Sequence, residues 1–250
     1  MTHRQVTADG SFAKYDERGA YHWTEIGRHP IRHNAFTAER YRIVASRAAL
    51  KGARRVLDYG CGDGALLSVL ASAAPGVELH GFDLNALGLE HARRALAARR
   101  LVATLYGAPE AIPSAAFDCV VCTEVIEHAT APDRMLEHIA QLLKPGGRVV
   151  ITTPIRLTET PEDVNHVQEW FPSEFAALFP PSRWRVLSHE QVVPCAAVEA
   201  YFWRPPLFLR VPVFRLVCNL LSIWFGVNAL SWLRLRPRLF MMQVVVAEKV

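Results

Sequence analysis

The sequence predicts an α/β fold: a doubly wound, mostly parallel sheet of seven strands with helices on both faces. Three observations predict it. From about Arg55 to Pro154, short β-rich runs alternate with helical patterns. The strand runs are near-continuously apolar, as expected when both faces of a sheet are covered. Alternating glycines join the first strand to the first helix of the series. A βαβα order requires parallel pairing and right-handed crossovers. Composition agrees, with 51% hydrophobic and 21% charged residues in 250 and a mean hydropathy of +0.11. That is enough apolar surface to offset chain entropy, and it excludes a disordered chain. The length suits one large domain, or one domain with an appendage.

The elements follow in order. Val56–Tyr59 is an apolar run ending in glycines, and Ala65–Ala74 has helical apolar spacing. Glu78–Asp83 is the next strand and Ala86–Arg100 an Ala/Leu/Arg helix. Val102–Tyr106, Cys119–Thr123 and Arg148–Thr153 are three more strands. The helix Ala131–Leu143 is ended by Lys144-Pro145-Gly146-Gly147, a Pro-Gly stop. Ser173–Phe179 reads as a helix, and Trp184–Val193 and Met241–Lys249 as two terminal strands. Ahead of the core domain (54–250) lies a helical extension, residues 1–53, rich in aromatic and basic side chains (Tyr21, His22, Trp23, Arg40, Tyr41, Arg42). Between the last two strands sits an apolar, aromatic insert at about 195–238.

Five cysteines, Cys61, Cys119, Cys122, Cys195 and Cys218, are odd in number and irregular in spacing. They read as reduced thiols of a cytoplasmic protein. Cys119 and Cys122 form a CxxC on a strand, where residues three apart face opposite sides, so a zinc or redox pair is not expected. Residues 1–10 are polar and carry no secretory h-region.

The most informative stretch is Val56-Leu57-Asp58-Tyr59-Gly60-Cys61-Gly62-Asp63-Gly64. Strand, alternating glycines and helix make a backbone that turns tightly and offers its N–H groups to a ligand. The spacing is GxGxG, so the dinucleotide fingerprint GxGxxG is not met. Asp83 ends the second strand, where a carboxylate can accept both hydroxyls of a ribose. These residues resemble the class I S-adenosylmethionine (SAM)-dependent methyltransferases, which are Rossmann-like. The resemblance spans about Val56 to Glu174 and four ordered motifs: Asp58–Gly64; Gly81-Phe82-Asp83; Phe117 through Glu124-Val125-Ile126-Glu127-His128; and Leu143-Lys144-Pro145-Gly146-Gly147. It implies a cofactor site at Asp58, Gly60, Cys61, Gly62, Gly64, Asp83, Leu84, Ala108, Thr123 and Glu124. Many members carry an acid that contacts the adenine amine after the third strand. Here the run is Tyr106-Gly107-Ala108-Pro109-Glu110, so adenine would rest on backbone and apolar groups near Ala108.

Binding crevices in such sheets lie beyond the carboxyl ends of the strands. Glu124, Glu127 and His128 follow the fourth strand, and His166 follows the fifth. Methyl transfer from a sulfonium needs an aligned nucleophile, exclusion of water and, for a hydroxyl, removal of a proton. One reading makes His128 or His166 the general base, with Glu124 beside them, because imidazole titrates near neutral pH. A second makes Glu124, Glu127, His128 and His166 a divalent metal site, a sound donor set for Mn²⁺, Zn²⁺ or Fe²⁺. The small-RNA 3′-terminal 2′-O-methyltransferases carry a similar pattern before Glu169-Trp170. The same Glu-Val-Ile-Glu-His pentapeptide also resembles metal-free members acting on quinones, sugars and antibiotics, and the metal is not the favoured reading. In either case the extension can close over the cofactor, and an arginine there can pair with its methionine carboxylate.

The insert bears on partners. Leu216–Leu233 has no charged residue, and arginines stand on both sides (Arg215; Arg234, Arg236, Arg238). A terminal strand follows, so a membrane-spanning helix is not expected. The insert could cover the crevice, lie in a membrane interface, or form a homodimer contact. The formal charge of +4 divides unevenly. Residues 176–250 hold nine basic and three acidic residues, leaving the rest slightly acidic. This favours an anionic acceptor or headgroup surface near the insert. With no separate RNA-binding module, nucleic acid is not the expected partner. The sequence thus predicts a SAM-dependent O-methyltransferase acting on a small-molecule, glycan or lipid-linked acceptor. The alternatives are the metal-dependent RNA enzyme and a non-catalytic protein at a membrane surface.

Overall fold

The structure, a computed structural model, describes residues 14–158, 161, 163, 165–203, 213–228, 230 and 239–250. The predicted seven strands form one sheet: β1 (Arg55–Tyr59), β2 (Glu78–Phe82), β3 (Ala103–Tyr106), β4 (Phe117–Thr123), β5 (Leu143–Pro154), β6 (Trp184–Pro194) and β7 (Phe240–Lys249). Their order is β3-β2-β1-β4-β5-β7-β6. β1 through β5 pair in parallel, and β7 alone runs against its neighbours β5 and β6. The strand order reverses between β1 and β4, which sets the crevice at their carboxyl ends.

Side chains alternate across the strands, so each face has its own core. One face carries Val56, Val121 and Val150 against α4 (Ala65–Ala73) and α5 (Ala86–Ala98). The other carries Leu57, Val120 and Ile151 against α6 (Pro132–Leu142) and α7 (Pro172–Ala177). Cys119 lies in the first core and Cys122 in the second. The CxxC therefore straddles the sheet, as its strand setting requires.

Most element ends shift by one or two residues, and the start of β5 differs most from expectation. β5 begins at Leu143, not Arg148, and the Lys144–Gly147 stop is a bulge inside the strand. Leu143 pairs with Phe117 and Arg148 with Cys119, and the intervening residues are pushed out of register. Gly146 takes φ +71°, and Lys144 Nζ donates to Asp118 Oδ1 at 2.6 Å. The β4 carboxylate thus holds the segment against the sheet, so the chain passes from α6 into β5 without a separate turn.

The extension forms α1 (Lys14–Arg18), α2 (Tyr21–Glu25) and α3 (Ala35–Arg47), with the Asn34 side chain capping α3 through the N–H groups of Phe36 and Thr37. The described part of the insert forms α8 (Cys195–Phe202) and α9 (Val213–Phe225), and it grips the extension. Asn219 Nδ2 donates to the carbonyls of Pro30 (2.7 Å) and His33 (2.8 Å), and Asn219 Oδ1 accepts from Tyr201 Oη (2.6 Å). Asn228 Nδ2 donates to Ala35 O, and Tyr201 Oη accepts from Ala35 N. Asn219 is buried, so Asn219→Ala removes three buried hydrogen bonds, to the Pro30 and His33 carbonyls and from the Tyr201 hydroxyl. A loss of about 3 kcal/mol is expected, read as a fall in Tm of roughly 6–12 °C. An unchanged Tm would contradict this locking role.

Among the described residues, no helix is long and apolar enough to cross a membrane. α9 ends at Phe225, within the uncharged Leu216–Leu233 run. Residues 1–10, Arg234, Arg236 and Arg238 lie outside the described residues.

Candidate active site

β1 delivers Asp58 and then the glycine loop. Gly60, Gly62 and Gly64 take φ of +86°, +51° and +76°, a region that favours glycine. A side chain at Gly60 would collide with Val125 and one at Gly62 with the Tyr15 hydroxyl. The glycines thus admit two other segments, the turn after β4 and the extension, against the loop.

The loop amides differ from expectation. Gly60 N and Cys61 N both donate to Phe82 O, at 2.7 and 2.9 Å, and Gly64 N donates to Cys61 O. Gly62 N donates to Asp83 Oδ2 at 2.7 Å. The first three of these N–H groups, on Gly60, Cys61 and Gly62, close the loop onto the end of β2 instead of facing a ligand, because a tight turn leaving β1 finds its nearest acceptors on the strand paired with it. The Cys61 side chain is buried under the loop against Gly81.

Asp83 is therefore fixed by two amides, Gly62 N and Asn85 N (2.8 Å to Oδ1). A carboxylate has capacity for further donors. Burial pushes its carboxyl above the usual range, and the two amide bonds oppose the rise. Leu84 beside it is exposed, and Ala108 begins the turn after β3. Asp58 is buried, and its Oδ2 has no hydrogen-bond partner. Burial, then Asp83 and Asp63, raise its pKa well above the usual carboxylate range.

At the end of β4, Thr123 Oγ1 is also buried without a partner. Glu124 follows with φ +54°, a strained conformation for a side-chain-bearing residue. Its Oε1 accepts from Thr152 Oγ1 (3.0 Å), and its Oε2 lies 3.3 Å from Arg40 Nη1 on α3. Burial opposes the Arg40 charge, but Glu124 and neighbouring acids outweigh it, so its pKa is raised; its Nε is buried and unpartnered. Unpaired buried polar atoms are costly and rare; those of Asp58 and Thr123 sit at the carboxyl ends of β1 and β4, and that of Arg40 beside Glu124.

The next turn brings Glu127, His128 and His166 together, with one ligand atom from each within 4.8 Å of the others. Glu124 is not in this group, which corrects the four-residue metal set; Arg40 and Thr152 hold its carboxylate instead. Glu127 is fully buried. Its Oε2 accepts from Thr153 Oγ1, its Oε1 has no partner, and burial followed by Glu124 raises its pKa well above the usual range. His128 Nδ1 lies 2.9 Å from Asn165 O and His166 Nδ1 2.6 Å from Glu169 Oε1. Both partners are acceptors, so both Nδ1 atoms carry the proton and Nε2 is the basic nitrogen of each neutral ring. The rings meet edge to face with centroids 4.9 Å apart.

The extension roofs the loop through residues that sequence reasoning missed, Tyr15 and Asp63. Asp63 O accepts from Trp23 Nε1 at 2.6 Å, and Asp63 Oδ2 accepts from His22 N at 3.0 Å. Tyr15 is buried between Gly62 and Gly88. The available signal was an acid inside the glycine loop facing an aromatic extension.

Comparison with known proteins extends this geometry. Ubiquinone biosynthesis O-methyltransferase of Alkalilimnicola ehrlichii is 31% identical over 156 residues, covering 61% of this chain and 62% of that protein. The chain thus spans about three fifths of that relative's length. In fold it is similar to the cyclase SpnF, with TM-score 0.60, 18% identity and coverage of 85% of this chain and 81% of the other. It is equally similar to coclaurine N-methyltransferase bound to N-methylheliamine and SAH, with TM-score 0.60, 16% identity and coverage of 85% and 73%. A family model described as a methyltransferase domain matches residues 31–191, from before α3 into β6. That match takes in the glycine loop, Asp83 and the β4 turn alike, and the chain belongs to this family, the class I SAM-dependent methyltransferases.

Proposed function

We propose that the protein methylates a hydroxyl of a small-molecule acceptor, with SAM as donor. The observation that carries this reading is the His166–Glu169 pair, set beside His128 at the mouth that the β1 and β4 ends share with the glycine loop. When bound, SAM supplies a methyl carbon activated by a cationic sulfur. The residues present fit such a group. Asp83 retains acceptor capacity for ribose hydroxyls, and exposed Leu84 with Ala108 offers an apolar seat for adenine. The unpartnered oxygens of Asp58 and Thr123 suit an ammonium, and the unpartnered Arg40 Nε suits a carboxylate. Gly60, Gly62 and Gly64 serve by lacking side chains. His166 takes the acceptor's hydroxyl proton as methyl transfer proceeds, and Glu169 supports the imidazolium that forms. His128 packs against that ring, and Glu124 holds Arg40 in place.

Calorimetry with SAM, together with transfer of labelled methyl from SAM into solvent-extractable small molecules, tests the proposal. Absence of SAM binding at millimolar concentration would reject it. Arg40→Met is expected to weaken SAM binding about tenfold, the worth of one charge-assisted hydrogen bond, with kcat at saturating SAM nearly unchanged. Unaltered affinity would remove Arg40 from the cofactor site.

One observation favours a second reading. Metal-bound histidines usually donate their other nitrogen to a carbonyl or carboxylate, as His128 and His166 do. Glu127, His128 and His166 would then hold a divalent cation that polarises the acceptor oxygen. The general-base reading expects chelator to leave turnover unchanged. Near-stoichiometric metal in protein purified without chelator, with loss of activity on its removal, would replace the base by the metal.

A further inference from the structure

α9 is built inside out. Its inward side carries Cys218, Asn219 and Ser222, and the two polar residues are spent on the extension, Asn219 on Pro30 and His33, Ser222 on the His33 ring (2.9 Å). Its outward side is the stripe Val213, Val217, Leu220 and Trp224, spaced at three and four residues. Val213 is 67% exposed, Trp224 69%, and Phe225 beyond them 74%. A second apolar patch, Phe202 and Trp203, is exposed at the end of α8. A helix that hides its polar residues and shows water an aliphatic and aromatic stripe calls for an apolar cover.

Charge selects the cover. Between Glu199 and Glu248 the sequence holds no acidic residue and six arginines: Arg204, Arg210, Arg215, Arg234, Arg236 and Arg238. Only Arg215 is among the described residues; the others enter through their sequence position. Arg215 stacks over the rings of Tyr201 and Phe202 beside the stripe. A stretch whose only charges are arginines holds no acid with which a symmetric second copy could pair them. An apolar face whose sequence neighbourhood carries arginine and no acid matches the interface of an anionic bilayer, where the stripe enters the acyl boundary and guanidinium groups meet the headgroups.

We propose that the outward face of α9, with Arg215 beside it, docks the protein on an anionic phospholipid surface. The helix lies on that surface, since α9 has 13 residues and cannot span it. Asn219 and Ser222 fasten this face to the loop ahead of α3, so docking fixes the orientation of the α3 helix that carries Arg40.

Flotation of the full-length protein tests this independently of methyl transfer. The probes are vesicles of equal parts phosphatidylglycerol and phosphatidylcholine, and vesicles of phosphatidylcholine alone. The expected result is flotation with the anionic vesicles, weaker on neutral ones, and reduced several-fold between about 0.1 M and 0.5 M salt. The double substitution Val217→Ser and Trp224→Ser, at solvent-facing positions, is expected to lower partitioning at least tenfold with Tm unchanged. No flotation, or flotation indifferent to the double substitution, overturns the proposal. Equal binding to neutral vesicles without salt dependence overturns its anionic part. A reversible dimer abolished by the same substitutions, without flotation, assigns the face to a second copy.

Discussion

Asp83→Ala is expected to weaken SAM binding at least a hundredfold while leaving the fold intact. In the proposed complex the carboxylate accepts from two ribose hydroxyls, and hydrogen bonds to a charged group are each worth about 1.5–3 kcal/mol. The same oxygens hold Gly62 N and Asn85 N, so removing them also loosens the glycine loop. Stability responds less. The alanine loses those two amide bonds but removes a carboxylate whose ionised form burial already disfavours. The two effects oppose, and a net change within about 1 kcal/mol is expected. Calorimetry and thermal melts on one preparation separate the two quantities. SAM affinity within threefold of the parent would displace Asp83 from the ribose and with it the proposed cofactor orientation.

His166→Ala is expected to lower kcat by about 10²–10⁴, the usual contribution of a positioned general base, with SAM affinity nearly unchanged. Glu169→Gln should give a smaller loss, also in kcat and not in KM, because the amide still reaches Nδ1 but no longer opposes the imidazolium charge. Glu169 is 3% exposed, and such a buried carboxylate acts at short range with little screening. If His166→Ala left kcat within threefold while His128→Ala removed it, the base would be His128 and the Glu169 pair a structural tie.

The strand series and the four motifs were legible because both are local. Continuous apolar runs, period-3.6 patterns, and glycines at the end of an apolar run are written in consecutive residues. The crevice was legible only as a set of names. That Glu124 would leave the metal group for Arg40 depends on α3 lying across β4, a contact between residues far apart in the chain. The Tyr15–Gly62 and Asp63–Trp23 contacts are of the same kind. The direction of the loop amides was hidden for another reason. Glycine spacing announces a tight turn, but which carbonyl accepts the N–H groups depends on the β2 neighbour, Phe82.

The grip of α8 and α9 on the extension sets the time order in which the molecule can be completed. Ala35, His33 and Pro30 are bound by Tyr201, Ser222 and Asn219, partners 166 to 189 positions later in the chain. At roughly 5–20 residues per second of synthesis, the first helices wait on the order of ten seconds or more for those partners to be made. The sheet through β5 can assemble in the meantime, with its crevice uncovered. The extension, made before the sheet it roofs, is thus among the last segments to settle, and a nascent chain halted before α9 would hold the glycine loop without its roof secured.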